Sequence, residues 1–117
     1  MFNERNYTIF LEDILEAIKK IEKYTNNLSF EDFCSSDMRI DAVIRNFEII
    51  GEAVKKVHQN IKIKYDYVEW KEAAAFRDVL IHHYFGVDLE ALWDTINKNI
   101  PFFKLHIEKV LQSEKEK

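Results

Sequence analysis

Apolar residues return every three to four positions along most of the chain, the spacing that collects them on one side of an α-helix. Residues 7–24 and 38–58 show this pattern over the longest stretches. The first stretch ends at the Asn26–Asn27 pair, a dipeptide that favours turns. The pattern therefore predicts two long amphipathic helices. The predicted inner face of the first helix is Phe10, Ile14, Ala17, Ile21 and Tyr24, widened by Leu11, Leu15 and Ile18. That of the second helix is Ile40, Val43, Ile44, Phe47, Ile50, Val54 and Val57.

Short polar residues stand where these helices should begin. Ser29, with Asp32 three residues later, predicts a short helical turn through Phe33, and Ser36 or Asp37 precedes the second long helix. Their side-chain oxygens can accept hydrogen bonds from the free N–H groups of a first helical turn. Gly51 falls inside the second long helix, where glycine costs about 1 kcal/mol relative to alanine. We therefore expect another helix to approach closely there.

The middle of the chain is less regular. Residues 61–68 mix apolar and basic side chains. Their alternation could indicate a β-strand, but no other segment offers a partner strand, so a loop is predicted. A third helix should begin at Glu69 or Trp70 and run to about Tyr84. Gly86 follows it as a C-terminal cap, because glycine readily adopts the backbone conformation that ends helices.

Two more helices are predicted in the last third. Asp88 is a good N-cap for a helix over residues 89–97, and Pro101 should start or kink a last helix that ends near residue 112. The charged tail, residues 113–117, should fray. Together these elements predict an all-α fold, an antiparallel bundle of four or five helices within one domain over residues 1–117.

Composition agrees with a helical protein that has a packed core. The chain contains 47% hydrophobic residues but only two Gly and one Pro, too few for a turn-rich β fold. The aromatic side chains, 9 Phe, 5 Tyr and 2 Trp, are numerous enough for two uses. Either all fill the core of one subunit, or some lie in a subunit interface, where aromatic residues are enriched. The candidates for the interface are Phe30, Phe33, Trp93, Phe102 and Phe103.

Charge and cysteine content limit the possible functions. The formal net charge is −4, which argues against a general nucleic-acid binder but leaves room for a local patch that holds a few phosphates. Cys34 is alone and so forms no internal disulfide, as suits a reducing compartment. No apolar run approaches the roughly 20 residues of a membrane span, and the N-terminus lacks the apolar region of a signal peptide. We expect a cytoplasmic protein without membrane association.

Residues 77–84 form the most unusual segment for chemistry. Arg77, Asp78, His82, His83 and Tyr84 place a cation, a carboxylate, two imidazoles and a phenol near one helix end. Asp78 and His82 are spaced i, i+4, so the carboxylate can orient the imidazole, although an ordinary surface pair has the same spacing. Adjacent histidines on a helix diverge and no ligand cluster accompanies them, so no metal site is expected. His83 is expected to face solvent or an interface.

Arg77, His82 and Tyr84 fit the Arg-x4-His-x-Tyr motif of the HepT toxins, a branch of the HEPN superfamily. The short motif alone is weak, but its flanks resemble the same family over nearly the whole chain. The matching segments are NFEIIGEA at residues 46–53, WKEAAAFR at 70–77, YFGVDLE at 84–90, and WDTIN at 93–97 with Pro101 beyond it. The resemblance implies a helical bundle, a symmetric homodimer, and RNA cleavage without a metal or other cofactor.

The residue types suit that reaction. An imidazole transfers protons well near neutral pH, and a guanidinium can donate two parallel hydrogen bonds to a phosphate. Five residues on an ideal helix place Arg77 and His82 about 140° apart around the axis. The two can share a site if the helix loosens near His82, if the cleft is wide, or if a two-fold axis brings both chains together.

The resemblance also implies a protein partner, a minimal nucleotidyltransferase antitoxin that transfers AMP to the motif tyrosine, here Tyr84. Five lysines are candidates to guide RNA, or are simply solvated: Lys55, Lys56, Lys62, Lys64 and Lys71. The alternative function is a non-catalytic subunit that binds nucleotide or serves as a scaffold for the nucleotidyltransferase. The acidic net charge favours this second interpretation to some extent.

Overall fold

Helices account for nearly all of the regular structure in this computed structural model, which describes residues 7–82 and 88–116 but not the side chains of residues 77–82. The helices are α1 (Ile9–Thr25), α2 (Phe30–Cys34), α3 (Asp37–Lys56), α4 (Gln59–Lys64), α5 (Trp70–His82), α6 (Leu89–Asp94) and α7 (Ile100–Lys115), with a π-helical turn (Thr95–Asn99) between the last two. No strand occurs in the described residues, so the predicted all-α fold is confirmed.

Helix α3 is the centre of the bundle, because it packs against α1 on one side and α5 on the other. Its apolar stripe is half-buried at Ile40 and Ile44 and buried at most positions from Val43 to Val54, including Gly51, as expected where helices approach closely. The largest fully buried side chains are Phe33, Phe47, Leu11, Ile14, Ile18, Ile21, Ile50, Ile100, Ile107, Val43, Val54 and Val110. The core therefore uses the helical spacing read from the sequence.

Three helix starts have the predicted caps. Ser29 Oγ accepts a hydrogen bond from the Asp32 N–H at 3.0 Å, and Ser36 Oγ accepts one from the Arg39 N–H at 3.3 Å. Asp88 Oδ1 accepts one from the N–H of Ala91 at 3.0 Å. Each cap satisfies an N–H group that the helix itself leaves without a partner.

The predicted loop over residues 61–68 is wrong in its first half, since α4 covers Gln59–Lys64. His58 caps this helix: its Nδ1 accepts a hydrogen bond from the Asn60 N–H at 3.1 Å. Ile61 and Tyr65, four residues apart, are both buried against the core. A spacing of four residues is helical. Packing of Ile61 and Tyr65 against the core therefore outweighs the local alternation of apolar and basic residues from which a loop was predicted.

Residues 89–115 form one continuous helical path rather than two separate helices. The Ile100 N–H bonds to the Thr95 carbonyl, five residues back, which is the π-helical pattern. Pro101 explains the extra residue, because it has no N–H and its ring clashes with a carbonyl one α-turn back. Pro101 thus lies in the first turn of α7, as predicted, but the chain passes into it without leaving the helical path.

The predicted fraying of residues 113–117 does not occur over residues 113–115, where α7 continues to Lys115. Glu114 is buried and accepts hydrogen bonds from the hydroxyls of Tyr7 and Tyr65 and from Lys64. These contacts hold the last turn of α7 against the start of α1 and the end of α4. The charged residues of the tail predicted fraying because these contacts join residues that are far apart in the sequence.

The aromatic residues proposed for an interface divide into two groups. Phe33 and Phe103 are buried in the core of this chain, and the rings of Phe30 and Phe33 pack against Trp93. Phe102, by contrast, is 64% exposed on α7. For Phe33 and Phe103 the core interpretation is therefore correct. None of the helices in the described part of the chain has the length and apolarity needed to cross a bilayer.

Candidate active site on helix α5

Helix α5, which carries Arg77 and His82, is anchored at its start. The Trp70 indole N–H donates to the Tyr65 carbonyl at 3.0 Å, and the Trp70 amide donates to the Val68 carbonyl at 2.8 Å. Trp70 and Ala73 are both buried. These contacts fix where the helix begins and which side of its first two turns faces the core.

The position of Arg77 along the bundle is set by the residue before it. The Phe76 ring meets the Phe47 ring of α3 edge-on, with centroids 5.2 Å apart. Phe47 lies in the middle of α3, so this contact packs the middle of α5 against the middle of α3. Arg77 is the next residue of α5 after this contact.

Arg77, Asp78 and His82 all belong to α5, whose backbone is α-helical through His82. The described backbone therefore shows no loosening between Arg77 and His82. On an ideal helix these two positions are about 140° apart around the axis and about 7.5 Å apart along it. Asp78 and His82 are one turn apart on one face. The side chains of these three residues, and Tyr84, His83 and Gly86 altogether, lie outside the described residues.

Lys64 is the least available of the five candidate RNA-guiding lysines. Its ammonium lies 3.0 Å from the buried carboxylate of Glu114. The hydrogen bond to Glu114 raises the pKa of Lys64, and the partly opposing effect of burial does not reverse this. Lys64 is thus part of a structural cluster and has little freedom to bind phosphate.

The other four lysines differ in their surroundings. Lys56 lies 5.9 Å from the centre of the Phe10 ring, within reach of a cation–π contact. Lys62 is half-buried, and this burial lowers the pKa of its ammonium. Lys55 and Lys71 are exposed. Lys71 stands in the second position of α5 and so is closest to Arg77 along the chain.

One polar pair next to α5 was missed by sequence reasoning. Glu69 lies immediately before α5, and its Oε1 is 2.8 Å from Nδ1 of His106 on α7. The two atoms are not aligned as a hydrogen bond. The residues are far apart in the sequence, and neither belongs to a motif. Among the described residues no group of three His, Cys, Asp or Glu side chains is arranged to hold a metal ion.

The family described as ribonuclease HepT-like matches residues 14–110, which include all of α5. The chain belongs to this HepT-like ribonuclease family. The matched region covers most of the sequence, so the assignment does not depend on the short motif alone. No solved structure matches the chain.

Named relatives agree with this assignment. The chain is 45% identical over 107 residues to "Probable ribonuclease HepT" of Thermococcus cleftensis, covering 92% of this chain and 97% of that protein. It is 41% identical over 114 residues to a "Putative RNase" of Methanocaldococcus jannaschii, covering 97% and 98%. It also matches, at 44% identity over 108 residues, "Gamma-glutamylcyclotransferase and putative RNase" of the latter organism. The matched region covers 92% of this chain but only 49% of that longer relative.

Proposed function

We propose that this protein is a metal-independent endoribonuclease that acts in the cytoplasm as the toxin of a toxin–antitoxin pair. Membership in the HepT-like ribonuclease family and the ribonuclease names of its relatives support RNA cleavage. The observation that carries the proposal is the Arg77-x4-His82 motif, which stands on a helix inside the matched region. Arg77 and His82 are the proposed catalytic residues, with Asp78 and Tyr84 in supporting positions.

The proposed reaction is an internal transfer within RNA. One His82 imidazole removes the proton from a 2′-hydroxyl, and the 2′-oxygen attacks the adjacent phosphorus. The bond from phosphorus to the 5′-oxygen breaks, and a second imidazole, in its protonated form, donates a proton to the departing oxygen. Arg77 holds the phosphate oxygens as negative charge develops on them. The products are a 2′,3′-cyclic phosphate and a free 5′-hydroxyl.

Two copies of the chain supply the two imidazoles. Because α5 is regular through His82, Arg77 and His82 of one chain occupy different sides of the helix. A two-fold axis beside α5 would place the Arg77 and His82 of both chains around one cleft. This arrangement provides one imidazole as base and one as acid, and two guanidinium groups for the phosphate. Asp78, one turn before His82, would orient the imidazole within each chain.

The nuclease proposal is tested with purified protein and a labelled single-stranded RNA in the presence of EDTA. Wild type should cleave and leave 2′,3′-cyclic phosphate ends, and Arg77→Ala and His82→Ala should each reduce the rate at least about 100-fold, the usual range for loss of an acid–base or charge-stabilising group. Arg45→Ala removes an exposed arginine of α3 and is the matched control. Cleavage by the His82→Ala dimer, or loss of wild-type cleavage with EDTA, would contradict the proposal.

The composite cleft requires a separate experiment. Mixed dimers with one wild-type chain and one His82→Ala chain can be purified by placing different affinity tags on the two chains. If each cleavage uses both imidazoles, such dimers should retain little activity. A mixed dimer with half or more of the wild-type rate would show that one imidazole suffices and would reject the shared cleft.

We further propose that a nucleotidyltransferase antitoxin neutralises the enzyme by transferring AMP to Tyr84. An AMP group there would place a phosphate and an adenine near Arg77 and compete with RNA for charge and space. Mass spectrometry of protein co-expressed with its nucleotidyltransferase should show a mass increase on the peptide that contains Tyr84, and the corresponding peptide of Tyr84→Phe should remain unmodified. An inactive co-expressed protein with unmodified Tyr84 would reject this mode of regulation.

A second candidate function is a non-catalytic subunit that binds nucleotide or serves as a scaffold for the nucleotidyltransferase. The net charge of −4 favours it, because RNA-binding proteins are usually basic. The same RNase assay separates the two functions. If wild type, Arg77→Ala and His82→Ala are equally inactive on RNA while the wild type binds nucleotide in calorimetry, the second candidate replaces the first.

A further inference from the structure

A small pocket opens between the beginning of α5 and the beginning of α7. Its volume is about 190 Å³, below the roughly 300 Å³ at which pockets for drug-sized ligands begin. The pocket therefore fits a single side chain better than a nucleotide. It lies on the helix that carries the catalytic motif but at the opposite end from His82.

The polar part of the pocket is acidic. Glu69 and Glu72 supply two carboxylates, and Asn99 of the π-helical turn adds an amide. Glu69 Oε1 lies against His106, but its second oxygen, Oε2, is buried and has no hydrogen-bond partner among the described residues. The Glu69 side chain as a whole is 38% exposed, so its carboxylate adds negative charge to the wall that an incoming cation meets.

Nearby lysines on α7 and the π-helical turn do not neutralise these carboxylates. Lys104 lies 2.9 Å from Glu22 of α1, and the ammonium of Lys98 lies 3.7 Å from Asp94. Each cation is thus engaged away from the pocket. The pocket keeps negative charge to offer to a ligand.

The remaining walls are aromatic. Phe76, Phe102 and Phe103 line the pocket, and Phe102 is 64% exposed. Leu105, three residues after Phe102 on α7, is 47% exposed. Carboxylates beside aromatic faces suit a guanidinium, because its planar fork binds a carboxylate and its face stacks on a ring. A lysine ammonium matches the carboxylates but gains less from the rings.

Charge also decides among the classes of occupant. RNA carries phosphates, which two carboxylates repel. A second copy of this chain, placed on a two-fold axis through the pocket, would bring the same two carboxylates face to face. A basic protein segment is the occupant that complements both the charge and the apolar rim.

We infer that the pocket between α5 and α7 receives an arginine side chain from a partner protein, whose neighbouring apolar residues cover Phe102 and Leu105. The inference concerns a docking surface and does not depend on the proposed nuclease reaction. The docked arginine contacts Glu69 and Glu72 and stacks on Phe102.

The test uses defined peptides as probes for the partner segment. Acetyl-Leu-Arg-Leu-amide carries the proposed side chains, and acetyl-Leu-citrulline-Leu-amide has nearly the same shape without the charge. Each is titrated into the full ¹⁵N-labelled chain and followed by two-dimensional NMR. The arginine peptide should shift the amide signals of Glu72, Ala73, Asn99 and Phe102 in a saturable way, with affinity about tenfold higher than the citrulline peptide.

Variants of exposed residues assign the effect to the pocket. Glu72→Gln should weaken the arginine peptide about tenfold, a loss of about 1.4 kcal/mol, and Phe102→Ala should weaken both peptides. Glu108→Gln, an exposed carboxylate elsewhere on α7, is the matched control and should change nothing. RNA cleavage by Glu72→Gln should equal that of wild type, which separates this inference from the nuclease proposal.

Three outcomes would overturn the inference. The first is the absence of saturable shifts at the highest soluble concentration of the arginine peptide. The second is equal binding of the arginine and citrulline peptides, because charge then plays no part. The third is shifts that lie outside the pocket or that survive Glu72→Gln unchanged, because the peptide then binds elsewhere.

Discussion

Replacing Glu114 should reveal how strongly the end of the chain is tied to the bundle. Its side chain is only 3% exposed although it lies in the last turn of α7. The carboxylate accepts hydrogen bonds from the Tyr7 hydroxyl at 2.7 Å, from Lys64 at 3.0 Å and from the Tyr65 hydroxyl. One carboxylate therefore connects the segment before α1, the end of α4 and α7.

The expected cost of Glu114→Ala follows from these contacts. A hydrogen bond to a charged group contributes roughly 1.5–3 kcal/mol, so the two phenol donors together give roughly 3–6 kcal/mol. Removing the carboxylate also removes its own cost of burial, which offsets part of the loss. The substitution should therefore lower the free energy of unfolding by about 3 kcal/mol. At about 4 °C of Tm per kcal/mol for a domain of this size, Tm should fall by about 12 °C.

Urea unfolding followed by circular dichroism at 222 nm measures this loss. Glu116→Ala is the matched control, since Glu116 is exposed two residues further on and makes only a long 3.4 Å contact with Gln112. The control should change stability by less than about 0.5 kcal/mol. If Glu114→Ala and Glu116→Ala have the same small effect, the tail is not anchored as the structure indicates. A double-mutant cycle with Tyr65→Phe should return a coupling energy of about 1 kcal/mol or more.

Three further predictions concern pH, packing and capping. Burial alone raises the pKa of the Glu114 carboxyl, but hydrogen bonds from Tyr65 and Tyr7 and the Lys64 ammonium bring it below its usual value of 4.5. The ionised carboxylate therefore contributes its full stability above about pH 4.5, and this contribution is lost as the pH falls through the lowered pKa of the folded state. In acid titrations of the free energy of unfolding, wild type should approach Glu114→Gln. Gly51→Leu should destabilise the protein by at least about 2 kcal/mol in urea, because the added side chain overpacks the buried face of α3. Asp88→Ala should cost about 1 kcal/mol in thermal unfolding, since the Ala91 N–H loses its acceptor; no change would mean that water replaces the cap.

Local signals made much of the fold predictable. Each confirmed cap, at Ser29, Ser36 and Asp88, is a contact between residues only three positions apart. Such a contact depends on residue type and spacing, and both can be read from the sequence. The long helices were equally accessible, because their apolar stripes repeat over several turns.

Contacts between distant residues account for the errors. Tyr65 and Glu114 are 49 positions apart, and their hydrogen bond stabilises both a segment expected to be a loop and a tail expected to fray. Nothing near Glu114 in the sequence distinguishes it from the other charged residues of the tail. The pairing of Glu69 with His106 is of the same kind, because only the packing of α7 beside α5 brings them together.

The candidate site was recognised through its resemblance to a family, and residue chemistry alone would have left it ambiguous. An arginine, an aspartate and a histidine on one helix are common in structural roles. The structure adds that α5 is regular through His82, which separates Arg77 from His82 around the axis. A site built by one chain would need a wide cleft or a bend in that helix, whereas a site shared by two chains needs neither.

The acidic character of the whole chain is compatible with RNA cleavage if positive charge is concentrated where the phosphate reacts. A two-fold cleft doubles the guanidinium groups at one phosphate without making the rest of the surface basic, so binding depends on few ionic contacts. Under the docking inference, negative charge elsewhere would have its own use, since a pocket wall with Glu69 and Glu72 would repel RNA and attract a basic protein segment. One helix can in this way present its C-terminal half to RNA and its N-terminal half to a protein partner, because opposite charges keep the two ligands apart.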